Sequence, residues 1–114
     1  GRSLSVEAIR ISKSIYQSDG GTIKLYCSSK SSNDPWSTIT PMTSDKQICG
    51  TTGQTKPLNG IKLSLDENDS GMYDVYYQVH LSWIGWQEWK KNGEIAGDKP
   101  GSHIEAIRIK LVEK

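Results

Sequence analysis

The sequence repeats itself with a period of roughly 50 residues, the mark of a chain built from stacked structural units. Three segments share one hydrophobic pattern: "VEAIRI" at 6–11, "LNGIKLSL" at 58–65 and "IEAIRIKL" at 104–111. In the last, Ile107, Ile109 and Leu111 alternate with Arg108 and Lys110, the period of two of a half-buried strand. Ile61, Leu63 and Leu65 keep that period around Lys62 and Ser64, and Ile9 and Ile11 keep it around Arg10. A shift of 50 lays "GTIKLYCSSKSSNDPW" (21–36) on "GMYDVYYQVHLSWIGW" (71–86), so that Leu25 meets Val75, Tyr26 meets Tyr76 and Trp36 meets Trp86. Past Trp36 the extra residues "TPM" change the shift to 47; Ile48 then meets Ile95 and Gly50 meets Gly97. The predicted organisation is one domain over 1–114, with a closing strand at 4–12, repeat one at 21–65 and repeat two at 71–111. "DENDSG" at 66–71 is the polar joint between the repeats.

Each repeat reads as three strands: "TIKLYCS" or "YDVYYQVHL", a strand starting at the Trp, and the Ile/Leu strand. "DPW" and "IGW" turn the chain between the first two, and Asn92-Gly93 is a strong turn signal. Only "WQEWKKNG" has the length for a turn or two of helix. A hydrophobic share of 34% with 11 glycines fits an all-β domain with a lean core. The predicted fold is therefore all-β, two pseudo-symmetric antiparallel repeats in a β-sandwich or β-prism-like arrangement. The opening strand is expected to complete a sheet begun by the C-terminal repeat, because 6–11 and 104–111 are near copies.

A net charge of +1 gives no general attraction to nucleic acid or anionic membrane. No apolar run approaches the roughly 20 residues that insert across a bilayer as a helix. Cys27 and Cys49 have no CxxC or His-rich spacing beside them, which argues against zinc, and lie too close together for an immunoglobulin-type pair. A disulfide between them requires that neighbouring strands place them face to face.

Three of the four tryptophans fall in "WIGWQEW" at 83–89. The repeat offers an internal test: a position hydrophobic in both copies belongs to the core. Trp86 has Trp36 as its mate and Trp89 has Ile39, so Trp36, Trp86 and Trp89 are expected to be structural and largely buried. Trp83 has Asn33, and a core slot rarely exchanges a ring for an amide, because a buried unpaired amide costs about 1–3 kcal/mol. Trp83 is therefore expected at the surface. Tyr76, Gln78 and His80 share the strand face opposite Val75, Tyr77, Val79 and Leu81. Tyr, Gln and His beside an exposed Trp make a candidate carbohydrate site: a ring covers the apolar face of a sugar while polar groups fix its hydroxyls. A plain solvated sheet face is the competing reading.

The chain resembles the ChW repeat, the clostridial hydrophobic repeat with a characteristic tryptophan, most strongly over residues 71–111. The resemblance rests on Tyr77, His80, Gly85-Trp86-Gln87, Gly93, Ala96-Gly97 and Glu105-Ala106-Ile107. Repeat one is similar but weaker, with Pro35 for Gly, Cys27 for Tyr and Asn59-Gly60 for Glu-Ala. The resemblance implies a non-catalytic binding module of a secreted or surface-displayed Gram-positive bacterial protein, with repeats in tandem. It weighs against a Cys27–Cys49 bridge, since such proteins commonly do without disulfides. Gln87 of the Gly-Trp-Gln step joins Trp83, Tyr76, Gln78 and His80 as a candidate ligand contact. The expected ligand is a glycan or cell-wall polysaccharide; the alternative is a protein-interaction or spacer module in a surface array that contacts another surface protein.

No catalytic residue, metal ligand or cofactor site is predicted. His80 matches Lys30, the serines have no GxSxG, and "GTTGQTK" lacks the Gly-Lys-Ser/Thr ending of a phosphate loop. Asp66, Asn68 and Asp69 offer hard oxygens in the joint, but the full EF-hand pattern is missing.

Overall fold

Alternation of inward and outward side chains organises the longest strands, most regularly over Tyr73–Leu81. The computed structural model describes residues 8–9, 17–18, 21–22, 25–31, 34–37, 39–42, 49–50 and 57–114. Asn33, Ile48 and most of "GTTGQTK", on which expectations were placed above, lie outside the described residues. In order, the strands are β1 (Ala8–Ile9), β2 (Gln17–Ser18), β3 (Gly21–Thr22), β4 (Leu25–Ser31), β5 (Thr40–Met42), β6 (Cys49–Gly50) and β7 (Leu58–Leu65). After the short helix α1 (Glu67–Ser70) come β8 (Tyr73–Leu81), β9 (Gly85–Trp86), β10 (Lys90–Lys91), β11 (Ala96–Gly97) and β12 (Ile104–Glu113). The fold is all-β, and every strand pairing among the described residues is antiparallel.

One four-stranded sheet has β12 on one edge of β8, with β9 and β10 sharing the other edge. The second runs β11-β7-β4-β5. Their inward side chains meet in one core: Leu25 and Cys27 from β4, Leu58, Ile61 and Leu63 from β7, Tyr73, Val75, Tyr77, Val79 and Leu81 from β8, with Cys49, Ala96 and Ile104. On β8 every second residue from Tyr73 is buried, while Asp74, Tyr76, Gln78 and His80 are half-exposed.

The β4–β7 and β8–β12 ladders carry equivalent pairs. Leu25 opposes Leu65, Cys27 opposes Leu63 and Ser29 opposes Ile61 in one; Val75 opposes Leu111, Tyr77 opposes Ile109 and Val79 opposes Ile107 in the other. Each ladder has an irregularity at its far end, next to the pairs Lys30–Gly60 and His80–Ala106.

Two local expectations change, and the Asn92-Gly93 turn forms as expected. The helical turn forms at Glu67–Ser70 in the polar joint rather than in "WQEWKKNG", closed by the Ser70 N–H on the Asp66 carbonyl. The 86–93 stretch is strand and turn: Asn92 and Gly93 have φ of 45° and 85°, and the Glu94 N–H closes the turn on the Lys91 carbonyl. Two successive left-handed residues are what a tight hairpin turn needs, and Asn-Gly supplies them at least cost. The opening strand does not join the sheet of β12 within the described residues; Ala8 and Ile9 pair with Gly50 and Cys49 of β6.

Cys27 and Cys49 form a disulfide, with Cα atoms 6.1 Å apart. The family context weighed the wrong way here. The bridge ties β4, in the core of the second sheet, to β6 and so to the β1 pair. At the matching place in the other ladder, Tyr77 donates its hydroxyl hydrogen to the Glu94 carbonyl. Burial pushes the Tyr77 phenol up to about 12, with the Glu94 carboxylate reinforcing the shift and backbone hydrogen bonds at Leu63 and Gly93 opposing it.

Candidate functional site

The outer face of the β8 sheet is laid out in rows by strand register. Across β8 and β12, Tyr76 stands opposite Lys110, Gln78 opposite Arg108 and His80 opposite Ala106. On the other edge of β8, Lys91 stands opposite Tyr76 and Trp86 opposite His80. Directly paired residues in an antiparallel sheet project to the same side. The rows therefore bring Trp86, His80, Gln78, Arg108, Tyr76, Lys91 and Lys110 onto one surface.

Their contacts alternate rings with cations. The Arg108 guanidinium lies 3.9 Å from the centre of the Trp86 ring. The Lys110 ammonium lies 4.4 Å from the Trp89 ring and 5.6 Å from the Tyr76 ring. Lys91 approaches Tyr76 at 5.9 Å. A cation over an aromatic face is attracted to its quadrupole, worth about 0.5–1 kcal/mol at exposed sites. His80 packs against Trp86 at 5.2 Å with an interplanar angle of 84°, and its Nδ1 is 3.0 Å from Glu105 Oε1. Gln78 donates from Nε2 to the Gln87 carbonyl at 2.9 Å and accepts from Arg108 at 3.4 Å. Gln87 in turn donates from Nε2 to the Gly85 carbonyl and from its backbone N–H to Val79, which pins the β8–β9 hairpin.

The tryptophans divide differently from the sequence expectation. Trp86 and Trp89 are 38% and 39% exposed, so they are not largely buried. Trp36 is only half-buried, with Lys62 4.3 Å from its ring. The physical reason is now visible. Trp36–Lys62 and Trp86–Arg108 occupy matching places in the two ladders, so what recurs is a ring–cation pair on a sheet surface. Ile39, the mate of Trp89, is 68% exposed, which also removes the core reading of that position.

Trp83 is 92% exposed, as expected. It is the third residue of the turn joining β8 to β9, closed by the Ile84 N–H on the Leu81 carbonyl at 3.3 Å. Its φ is 70°, a conformation uncommon for a bulky residue. The backbone thus holds the ring outward at the end of the sheet where His80 and Trp86 sit, beside the half-exposed Ile84. Tyr26, the mate of Tyr76, instead donates to Asp66 Oδ1 at 2.9 Å and so engages the joint. His103 lines a polar cavity of about 600 Å³ with Lys30, Asn59, Asp98 and Ser102, to which none of the ring-bearing residues of the outer face contributes.

Residues 80–113 match the ChW family model, Clostridial hydrophobic W.

The matched segment runs from the outer end of β8 to the end of β12. It contains Trp83, Trp86, Trp89, Arg108 and Lys110, but not Tyr76 or Gln78. It is not a closed unit on its own: β12 lies along the whole of β8, which starts at Tyr73, and β11 pairs with β7. No curated protein and no solved structure matches the chain.

Sequence reading grouped Trp83, Tyr76, Gln78, His80 and Gln87; in the structure Tyr76, Gln78 and His80 share the outer face of β8, the Gln87 carbonyl accepts from Gln78, and Trp83 stands on the turn at the end of that strand. Sequence reading missed Arg108 and Lys110. The available signal was their alternation with Ile107, Ile109 and Leu111, which puts them on the solvent face of the strand that closes on Gln78 and Tyr76.

Proposed function

We propose that the chain is a non-catalytic binding module of an extracellular bacterial protein, recognising a glycan or cell-wall polysaccharide through the outer face of the β8 sheet and the Trp83 turn. The observation that carries this reading is Trp83: a ring 92% exposed, held out at a φ of 70° beside a face of rings and polar groups. Strained backbone persists where the surroundings determine it, and such outliers cluster at sites that bind. An aromatic ring offers a sugar its apolar surface, while Gln78, His80 and Tyr76 carry groups able to bond hydroxyls. Arg108, Lys110 and Lys91 add donors that favour acidic substituents on the glycan. The ChW match supports a repeat module. The disulfide supports the extracellular assignment, because such bonds persist in oxidising compartments.

The test pairs a glycan array and cell-wall pull-down with melting curves of Trp83→Ala. Binding should be competed by free sugar. Trp83→Ala should melt within a few degrees of the parent and bind about tenfold or more weakly, since a stacked ring is worth on the order of 1 kcal/mol. Unchanged affinity in the stable variant would remove Trp83 from the site. Binding to a surface protein that free sugar does not compete would favour the protein-interaction or spacer reading.

A further inference from the structure

The two short strands that end in glycine do the same thing in different places. β11 lays Ala96–Gly97 against β7, with Ala96 opposite Ile61 and Gly97 opposite Gly60. β6 lays Cys49–Gly50 against β1, with Cys49 opposite Ile9 and Gly50 opposite Ala8. In both, a small residue faces an isoleucine and the glycine faces Ala or Gly. In both, the strand that receives comes from earlier in the chain and belongs to the Ile-rich closing pattern. Around β11 the contact is extended by the Asp98 N–H to the Asn59 carbonyl and the Gly93 N–H to the Leu63 carbonyl, each 2.6 Å.

β12 is the third closing strand, and among the described residues it pairs only with β8. Its sequence Glu105-Ala106-Ile107-Arg108-Ile109 is identical to Glu7-Ala8-Ile9-Arg10-Ile11, the stretch whose Ala8–Ile9 already receives β6. Burial differs in the same sense. Ile61 and Leu63 of β7 are 0% exposed, whereas Ile107 and Ile109, their counterparts in the ladder, are only partly buried against the core. Ile61 and Leu63, on the closing strand that carries an added strand, are fully buried; Ile107 and Ile109, on the closing strand with no added strand among the described residues, are not.

We propose that the second edge of β12 at Ala106–Ile109, unpaired among the described residues, is a docking strand for a further unit of this sequence pattern in the same chain. That unit lays its own Ala–Gly strand along Ile107 as β11 lies along Ile61. The recognition is strand addition: backbone hydrogen bonds supply the attraction, and the requirement for a glycine against Ala106 supplies the register. Units joined this way share a sheet with the unit before them, so each completes its predecessor.

The test lengthens the full chain by a second copy of residues 66–114 after Lys114 and follows amide hydrogen exchange at Ile107 and Ile109 of the original part. Those amides should exchange at least about tenfold more slowly than in the unlengthened chain, as expected for amides drawn into a ladder. Gly97→Val made only in the appended copy should return them to the original rate. Unchanged exchange in the lengthened chain overturns the proposal, whether or not the appended copy folds, because a folded copy would then pack elsewhere and an unfolded one would have found no strand to complete. Protection that survives the appended Gly97→Val, or that rises with protein concentration in the unlengthened chain, also overturns it; the second result assigns the edge to another copy.

Discussion

Gly93 and Gly97 have nearly the same backbone, with φ of 85° and 82°, and very different surroundings. A Cβ on Gly93 would meet nothing within 4 Å, whereas a Cβ on Gly97 would lie 2.5 Å from the Asn59 carbonyl oxygen and 3.4 Å from Leu81 Cδ2. Gly93→Ala should therefore show the torsional cost alone. A left-handed L-residue costs about 1–2 kcal/mol, offset by about 0.4–1 kcal/mol from the stiffer unfolded chain, leaving a loss of about 1 kcal/mol. Gly97→Ala carries that loss and a clash with backbone, which no side-chain rotation relieves. β11 must move off β7, weakening the Ala96–Ile61 and Gly97–Gly60 pairing and the Asp98 bond to Asn59. At about 1 kcal/mol for each hydrogen bond, two such losses bring the total to about 3 kcal/mol. Urea unfolding of both variants beside the parent measures the difference, which should be about 2 kcal/mol with similar slopes. Equal losses at the two glycines would refute the reasoning, because the close approach of β11 to β7 would then contribute nothing.

Trp86→Ala should cost about 2 kcal/mol, below the roughly 3–5 kcal/mol of a fully buried ring, and a double-mutant cycle with Arg108→Ala should give a coupling of about 0.5–1 kcal/mol; a loss near 4 kcal/mol in a urea melt would return the ring to the core. Tyr77 is held protonated in the fold, pushed up to about 12 against the usual 10. The unfolded state therefore loses its proton first, so the stability it gives is intact below pH 10 and falls by about 3 kcal/mol as pH rises towards 12. Tyr77→Phe should flatten that part of the stability profile, and an unchanged slope would contradict it. Reduction of the Cys27–Cys49 bridge should lower stability by about 3 kcal/mol, and thiol titration of the unfolded, unreduced protein should find no free thiol.

The strands legible in the sequence were those with strict alternation. β8, β7 and β12 each have one face against the core and one against water, so a period of two identifies both the strand and its outer residues. Tyr76, Gln78 and His80 were readable for that reason. The tryptophans were not, because recurrence of a ring says that a position matters without saying which neighbour uses it. Trp36 and Trp86 recur with a cation over them, and the Lys or Arg lies on a strand some twenty or more residues away. The pairing of β11 with β7 is likewise a long-range choice: two residues, Ala96 and Gly97, carry almost no strand signal. The disulfide depended on the same kind of information, since Cys49 reaches Cys27 only once β6 is placed.

The long ladder between β8 and β12 has a mechanical consequence. Tyr73 at the start of β8 stands opposite Glu113 at the end of β12, and the Lys114 N–H bonds to the Met72 carbonyl at 2.9 Å. Tension entering through residue 72 and leaving through residue 114 therefore pulls on the same end of the hairpin. Such a load opens hydrogen bonds one after another, as a zipper, instead of shearing them together. Under a pull along the chain, this ladder would yield progressively from its Met72–Lys114 end, while the Cys27–Cys49 bond keeps the residues between the two cysteines out of the extension.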